Sequence, residues 1–177
     1  PRKVSKTELE KITRGYIDKI APVIGEKKDI PAPDVNTNAQ IMAWMCDEFS
    51  KINCQFAPGF ITGKAICMGG SQGRTSATGR GVITATLELL KREGIKPEDA
   101  TLAIQGFGNV GSWTAKCAAD KGLKIVALSD ISGGIYDANG FDPYKVEEYA
   151  KNNGGVIKGY PGATPISNEE VLEKDVT

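Results

Sequence analysis

The feature that most constrains the fold is a glycine-rich segment, Gly106-Phe107-Gly108-Asn109-Val110-Gly111, which directly follows a short apolar stretch at residues 101–105. A GxGxxG string by itself is weak evidence. Here it comes after a predicted strand and opens a predicted helix that runs to about Lys121. A second, continuously apolar segment at residues 123–128 predicts a buried strand. Strand, helix and strand within about 30 residues predict a parallel βαβ unit and therefore an α/β fold.

The three glycines and a following acid have separate tasks in a dinucleotide site. Gly106 permits the tight turn, Gly108 lets a pyrophosphate approach the backbone, and Gly111 lets helix and strand pack closely. The helix N-terminus would meet the phosphate charge, and Asp130 would accept hydrogen bonds from the adenosine ribose and repel a 2′-phosphate. The pattern predicts NAD as the cofactor, with NADP as the alternative. The competing interpretation is a glycine-rich turn in another α/β protein, with Asp130 a solvated loop acid.

Charge and hydropathy exclude two classes of partner. Among the 177 residues, 22 Lys and Arg balance 22 Asp and Glu, so the formal net charge is zero. Such a chain lacks the positive field that gathers nucleic-acid backbones. The longest apolar run, Ile41–Cys46, is far shorter than the roughly 20 residues of a membrane span. We therefore predict neither a nucleic-acid nor a membrane partner.

The residue inventory also limits the chemistry. The chain has no histidine, which removes His-based triads and His-ligated zinc. The four cysteines, Cys46, Cys54, Cys67 and Cys117, have no Cys-x-x-Cys spacing, so no metal site is predicted. They are expected to be reduced, packed thiols, which is typical of a cytoplasmic protein.

Capping patterns and periodicity predict further helices. Helix starts are expected at Ser5, at Thr37 with Gln40, at Asp142 and at Ser167. Another long helix is expected to end at a glycine, Gly94. Apolar spacing predicts the buried positions of the first helix as Leu9, Ile12, Tyr16, Ile17 and Ile20, and those of the long helix as Val82, Ala85, Leu89 and Leu90.

Two other segments carry candidate chemistry. In Pro31-Ala32-Pro33-Asp34 the prolines hold the backbone extended, so Asp34 is presented with little freedom, as general acid–base work requires. The alternative is an aspartate that only forms or caps a turn. In residues 69–81, Gly79 and Gly81 are predicted in the first turn of a helix, where each costs about 1 kcal/mol relative to alanine. This cost indicates either a group that comes close to the backbone or a flexible hinge.

Several motifs together resemble the glutamate dehydrogenases. They occur in the family's order: residues 29–38 (DIPAPDVNTN), Thr62-Gly-Lys64, Gly69-Gly70, Gly73-Arg74, Ala77-Thr-Gly-Arg-Gly81, Gln105–Gly111, Ser129-Asp130 and Gly133–Tyr136. The resemblance covers essentially the whole chain. The spelling PAPDVNTN is more similar to the glutamate enzymes than to the leucine, phenylalanine or valine dehydrogenases, which share the architecture.

The resemblance implies roles for individual residues. Asp34 falls on the catalytic aspartate, which exchanges protons with the amino group and with water during hydrolysis of the imine. Thr78 falls on the threonine that binds the nicotinamide carboxamide, and Arg74 on a position near the substrate carboxylate. Lys64 and Arg80 are expected to have structural or surface roles. The implied cofactor-binding turn comprises Gly106, Phe107, Gly108, Asn109, Val110 and Gly111.

The resemblance also implies a fold, a reaction and an assembly. Residues 1–76 would be the carboxyl-terminal part of a substrate (dimerisation) domain, and residues 77–177 the first part of a Rossmann-type NAD-binding domain. The reaction would be reversible oxidative deamination of L-glutamate to 2-oxoglutarate and ammonia, in a homohexamer. The family's substrate lysines are expected upstream of Pro1, so the chain is interpreted as an internal stretch that is inactive alone. Two alternatives remain, a dehydrogenase of an apolar amino acid and a non-catalytic nucleotide-binding fragment.

Overall fold

The first unit of the computed structural model, which describes residues 4–177 in all, ends at Arg74 and is built on two packed helices. Helix α1 (Lys6–Ile20) begins with the predicted capping box, in which the Ser5 hydroxyl accepts from the Glu8 amide and the Glu8 carboxylate accepts from the Ser5 amide. Helix α2 (Ala39–Ile52) follows the proline-rich loop. The core of this unit includes Ile17, Ile41, Met42, Trp44, Cys46, Phe49, Phe60 and Ile61.

The cap of α2 differs from the prediction. Asn38 is the N-cap, and its side-chain oxygen accepts hydrogen bonds from the amides of Gln40 and Ile41 at 3.0 and 3.1 Å. An N-cap side chain reaches the second and third amides of a helix, and Thr37 stands one residue too early to do so. The hydroxyl of Thr37 bonds instead to the backbone of Asp34.

The predicted buried faces are only partly correct. On α1, Ile17 is fully buried, whereas Ile12 and Tyr16 are more than half exposed. On α3 (Arg74–Glu93) the buried apolar residues are Ile83 and Leu90, and the predicted Val82, Ala85 and Leu89 are exposed. A helix with apolar residues on two adjacent stripes satisfies the 3.6-residue period either way, so the packing partner decides which stripe is buried. The predicted end of α3 is correct, since Gly94 has a φ of +72°.

The second unit, Thr75–Thr177, contains a four-stranded sheet in the order β1 (Thr101–Ile104), β2 (Lys124–Asp130), β3 (Gly133–Tyr136), β4 (Thr164–Ile166). Strands β1 and β2 are parallel and are joined by helix α4 (Asn109–Ala119), which confirms the βαβ prediction and the α/β class. Strands β3 and β4 are antiparallel and were not predicted. They are three or four residues long and begin with glycines or contain proline, so they carry little strand signal of their own.

Two further helices complete this unit. Helix α5 (Pro143–Asn152) is capped by Asp142, and α6 (Asn168–Leu172) begins with a capping box from Ser167, both as predicted. Helices α4 and α5 are joined by an ion pair in which Lys116 Nζ lies 2.5 Å from Glu147 Oε1. Hydrogen bonding to Lys116 holds the pKa of Glu147 below its ordinary value. The core includes Ile83, Leu90, Ala115, Ala118, Leu123, Ile125, Leu128, Ile135, Val146 and Ile157.

The cysteines are all free, but only Cys46 is buried, and Cys117 is partly buried. The expectation of packed thiols is wrong for Cys54 and Cys67, which are exposed. They lie in the turn after α2 and in a short 3₁₀ helix (Ile66–Met68), where no core-facing stripe includes them. Between residues 4 and 177 no group of acidic or cysteine side chains could hold a metal ion. Nor does any helix in that range have the length and apolar character needed to cross a membrane.

Candidate functional site

The glycine turn after β1 combines one tightly packed glycine with two open ones. Gly106 has a φ of +95°, in the region that favours glycine. A Cβ built on Gly111 would overlap the carbonyl oxygen of Gly106 and lie 2.9 Å from its carbonyl carbon. A Cβ on Gly106 or Gly108 would meet no described atom within 4 Å. Packing of α4 against the turn therefore requires glycine at 111, while the space beside Gly108 is open.

The N-terminus of α4 is available to an anion. Helices α1, α2, α5 and α6 are each capped by a side chain, whereas Gly108 caps α4 with none. The first amides of a helix have no partner within the helix, so an uncapped N-terminus presents N–H groups and partial positive charge. Together with the open space at Gly108, this fits the pyrophosphate of a dinucleotide.

A cavity of about 540 Å³ lies beside this turn. It is lined by Gly106, Gly108, Val110 and Gly111 of the predicted cofactor turn. Phe107 does not line it and packs against the core of the unit. The rest of the lining is mostly apolar and comes from α3, from β1 and the residue after it, and from α4: Val82, Ile83, Thr86, Leu102, Ala103, Ile104, Gln105 and Thr114.

Asn109 is the first residue of α4, and its carbonyl accepts a hydrogen bond of 3.2 Å from the Ser112 hydroxyl. Its side chain is exposed and does not line the cavity. Among the described residues, none forms a hydrogen bond with the side-chain carboxamide of Asn109. Any cofactor contact of that group therefore remains a prediction of the sequence.

Asp130 is the last residue of β2, and hydrogen bonds within the protein already use most of the acceptor capacity of its carboxylate. One oxygen accepts from the amide and hydroxyl of Ser132, and the other accepts from the Ile157 amide at 2.7 Å. A carboxylate offers about four acceptor positions, so roughly one remains for a ribose hydroxyl. Asp130 thus holds the β2–β3 turn and the segment at Ile157, and it lies at the carboxyl end of a parallel strand.

The glycines of α3 have a structural neighbour. Because α3 begins at Arg74, Gly79 and Gly81 lie in its second turn, not in its first as predicted. A Cβ on Gly79 would lie 2.6 Å from the Thr114 amide nitrogen and 2.7 Å from the Trp113 carbonyl carbon, so α4 is the group that comes close. A Cβ on Gly81 would meet nothing described within 4 Å. Thr78, beside Gly79, is exposed.

Asp34 presents a carboxylate that the protein does not use. It is exposed, and its side chain forms no hydrogen bond or ion pair within residues 4–177. The contacts of this residue run through its backbone: its amide donates to Thr37 Oγ1 at 2.6 Å, and its carbonyl accepts from the Thr37 hydroxyl and amide. The turn is therefore held by the backbone of Asp34, and the carboxylate caps nothing.

A second cavity, of about 570 Å³, adjoins this loop in the first unit. Its lining includes two cations, Lys64 and Arg74, and no acid. Lys64 Nζ donates to the Ile61 carbonyl at 2.8 Å. Gly63, also in the lining, contacts the ring of Pro33, the residue before Asp34. The remaining lining residues are Pro58, Gly59, Ile61, Thr62, Gly69 and Ser71.

Two further residues, Thr37 and Gly63, hold the loop that carries Asp34. Thr37 is predicted as a helix cap and lies in the motif of residues 29–38, and Gly63 lies in the Thr62-Gly-Lys64 motif, but neither is assigned a role beside Asp34. The available signal was the segment Asp34-Val35-Asn36-Thr37, because aspartate in the first position and asparagine in the third are typical of a β-turn.

Family models match most of the chain. The model described as "Glutamate/Leucine/Phenylalanine/Valine dehydrogenase" matches residues 69–177, and "Glu/Leu/Phe/Val dehydrogenase, dimerisation domain" matches residues 1–51. Among curated relatives, the catabolic NAD-specific glutamate dehydrogenase RocG of Bacillus subtilis is 48% identical over 99% of this chain. The NADP-specific glutamate dehydrogenase A1 of Halobacterium salinarum is 45% identical over 99% of it. The chain spans 41% and 42% of these relatives' lengths.

A solved structure is similar throughout. The hetero-hexameric glutamate dehydrogenase from Thermus thermophilus, in a Leu-bound form, superposes with a TM-score of 0.91 and 33% identity. The match covers 99% of this chain and 41% of that one. With a family model matched over more than half of its residues, the chain belongs to the Glu/Leu/Phe/Val dehydrogenase family.

Proposed function

We propose that the protein containing this chain is a glutamate dehydrogenase, which converts L-glutamate and water to 2-oxoglutarate and ammonia, reversibly, with NAD. The names of the relatives support this proposal, since those above are glutamate dehydrogenases. Residues 1–76 are assigned to the substrate domain and residues 77–177 to a Rossmann-type cofactor domain. We further propose a hexamer, which the name of the Thermus enzyme supports, and the cytoplasm, where free thiols such as the four described are stable.

The observation that carries the proposal is the unused carboxylate of Asp34. It is held on a proline-rich loop, it is exposed, and no described residue forms an ion pair or a hydrogen bond with it. A structural aspartate in a turn or cap normally uses its side chain as an acceptor. A carboxylate that is fixed through its backbone and left free at its oxygens is suited to proton transfer.

The remaining residues are assigned to binding. Gly108 and the uncapped N-terminus of α4 would hold the pyrophosphate, and Thr78 the nicotinamide carboxamide. Arg74 would bind a substrate carboxylate. A nicotinamide held there would supply a hydride acceptor for the substrate α-carbon. Asp34 would take a proton from the substrate amino group and then exchange protons with the water that hydrolyses the imine.

The charge of the second cavity is suited to a substrate carboxylate. Lys64 and Arg74 line it without an acid, so its interior is suited to a carboxylate. Leucine, phenylalanine and valine also carry an α-carboxylate, so this lining does not by itself separate them from glutamate. The names of the relatives are what favour glutamate over the apolar alternative.

The proposal is tested by Asp34→Asn in the complete enzyme. Asparagine keeps the size and the turn preference of aspartate but cannot shuttle protons. We expect kcat to fall roughly 10²- to 10⁴-fold, the usual contribution of a general acid–base group. NAD binding should be unchanged, because the dinucleotide turn lies in the second unit. Steady-state rates and NAD titration on the same variant measure both quantities.

The matched control is Asp29→Asn, which makes the same charge change five positions earlier in the loop. Asp29 is exposed and is assigned no role, so its variant should turn over normally. Near-normal turnover by Asp34→Asn would contradict the mechanism. An equal loss of kcat in both variants would show that the effect comes from the overall charge of the loop. That result would also contradict the mechanism.

A further inference from the structure

Residues 34–37 form a turn that is closed by Thr37. The Thr37 amide donates to the Asp34 carbonyl at 3.0 Å, a bond from the fourth residue to the first that is common in β-turns. Asn36, in the third position of the turn, has a φ of +60°, a region that asparagine tolerates better than most residues. The Thr37 hydroxyl adds two short contacts, since it accepts from the Asp34 amide at 2.6 Å and donates to the Asp34 carbonyl at 2.7 Å.

The preceding side of the loop is held separately. The Pro31 carbonyl accepts a hydrogen bond of 3.0 Å from the Thr62 amide. Pro33 packs against Gly63 so closely that a Cβ built on Gly63 would overlap its ring, with Pro33 Cδ at 2.6 Å. Gly63 also has a φ of +67°, where glycine is favoured. Asp34 therefore lies between a segment, Pro31–Pro33, that is held by Thr62 and Gly63 and a turn that is closed by Thr37.

The direction of the Asp34 carboxylate depends on this backbone. Because no described residue bonds to the carboxylate, its orientation is set by the peptide groups on either side of Cα. The Thr37 hydroxyl fixes both of those groups, because it accepts a hydrogen bond from the Asp34 amide and donates one to the Asp34 carbonyl. We infer that Thr37 is a positioning residue for Asp34, an inference that rests on the proposed function of Asp34.

A helix-capping role does not account for Thr37. Helix α2 is already capped by Asn38, whose side chain serves the amides of Gln40 and Ile41. Within residues 4–177 the Thr37 hydroxyl forms no hydrogen bond to the helix, and both of its hydrogen bonds are to Asp34. A threonine kept only for helix stability would direct its hydroxyl toward the helix amides.

The test is Thr37→Val in the complete enzyme, which removes the hydroxyl and keeps the branched shape. We expect kcat to fall roughly 10- to 100-fold, since a misplacement of about 1 Å can cost 10²-fold in rate. The KM for glutamate and the NAD dissociation constant should not change. Thr37→Ser retains the hydroxyl and should recover most of the lost kcat. The control is Thr84→Val, which removes a comparable hydroxyl, bonded to the Arg80 carbonyl at 2.9 Å on exposed α3, and should leave kcat unchanged.

The decisive measurement adds Thr37→Val to Asp34→Asn. If Thr37 acts through Asp34, the double variant is no slower than Asp34→Asn alone, because there is no longer a proton-transfer group to position. Losses that multiply, a normal kcat in Thr37→Val, or a failure of Thr37→Ser to recover activity would each overturn the inference. If kcat falls in Asp34→Asn but is normal in Thr37→Val, this inference is overturned and the proposed function is not. Near-normal turnover by Asp34→Asn overturns the proposed function and this inference with it.

Discussion

At the residue scale, three glycines with one sequence signature have different physical roles. Gly111 is required by packing, because a side chain there would collide with the Gly106 carbonyl. Gly106 supplies a positive φ at the turn. Gly108 has an extended backbone, with φ −83° and ψ −156°, and open space around it, so nothing in the described protein demands a glycine there. A ligand that approaches the backbone would demand one, which makes Gly108 the informative position.

We predict that Gly108→Val in the complete enzyme preserves the fold and weakens NAD binding. Valine accepts the extended backbone at this position, and its side chain would fill the space proposed for the pyrophosphate. The NAD dissociation constant should rise at least roughly tenfold, which corresponds to about 1.4 kcal/mol. Fluorescence titration with NAD and circular dichroism on the same preparation measure binding and fold. Unchanged NAD affinity in a folded variant would remove the dinucleotide assignment.

At the element scale, helix ends were predicted well and helix faces less well. Ser5, Asp142 and Ser167 begin helices as predicted because a cap is satisfied by amides two or three residues away. The buried stripe of α3 was misplaced because burial depends on which element lies alongside. At Gly79, for example, the element alongside α3 is α4.

Gly79 and Gly81 give a matched pair for this contact. We predict that Gly79→Ala lowers the thermal midpoint of the complete enzyme, because the new methyl would lie 2.6 Å from the Thr114 nitrogen. Overpacking of this kind costs about 1–3 kcal/mol and outweighs the roughly 1 kcal/mol that alanine gains over glycine in a helix. Gly81→Ala meets no described atom within 4 Å and should raise the midpoint. Equal shifts in the two variants, measured by calorimetry, would show that α4 does not constrain this position.

At the scale of the whole molecule, overall similarity does not decide the cofactor. Relatives that are 48% and 45% identical are named NAD-specific and NADP-specific, respectively. The local charge at the end of β2 is therefore the better guide. Asp130 spends most of its hydrogen-bonding capacity on Ser132 and Ile157, so its effect on the ribose would be mainly electrostatic.

We predict that the complete enzyme prefers NAD to NADP. A 2′-phosphate near the Asp130 carboxylate would make a like-charge contact, which disfavours binding. The preference should decrease as salt is added, because screening weakens interactions between partly exposed charges. Comparison of kcat/KM for the two cofactors at low and high salt measures both effects. A clear preference for NADP would contradict the assignment of Asp130.

The sequence alone determined the features that depend on neighbouring residues in the chain. These are the helix caps, the glycine turn between β1 and α4, the parallel pairing of β1 with β2, and a proline-rich loop that presents Asp34. Tertiary structure decided what depends on distant residues. The approach of α4 makes glycine necessary at 79, and Pro33 makes it necessary at 63. The amide of Ile157 uses one oxygen of the Asp130 carboxylate as a hydrogen-bond acceptor. Local patterns specify backbone conformation through hydrogen bonds a few residues long, whereas side-chain surroundings arise only when separate segments pack together.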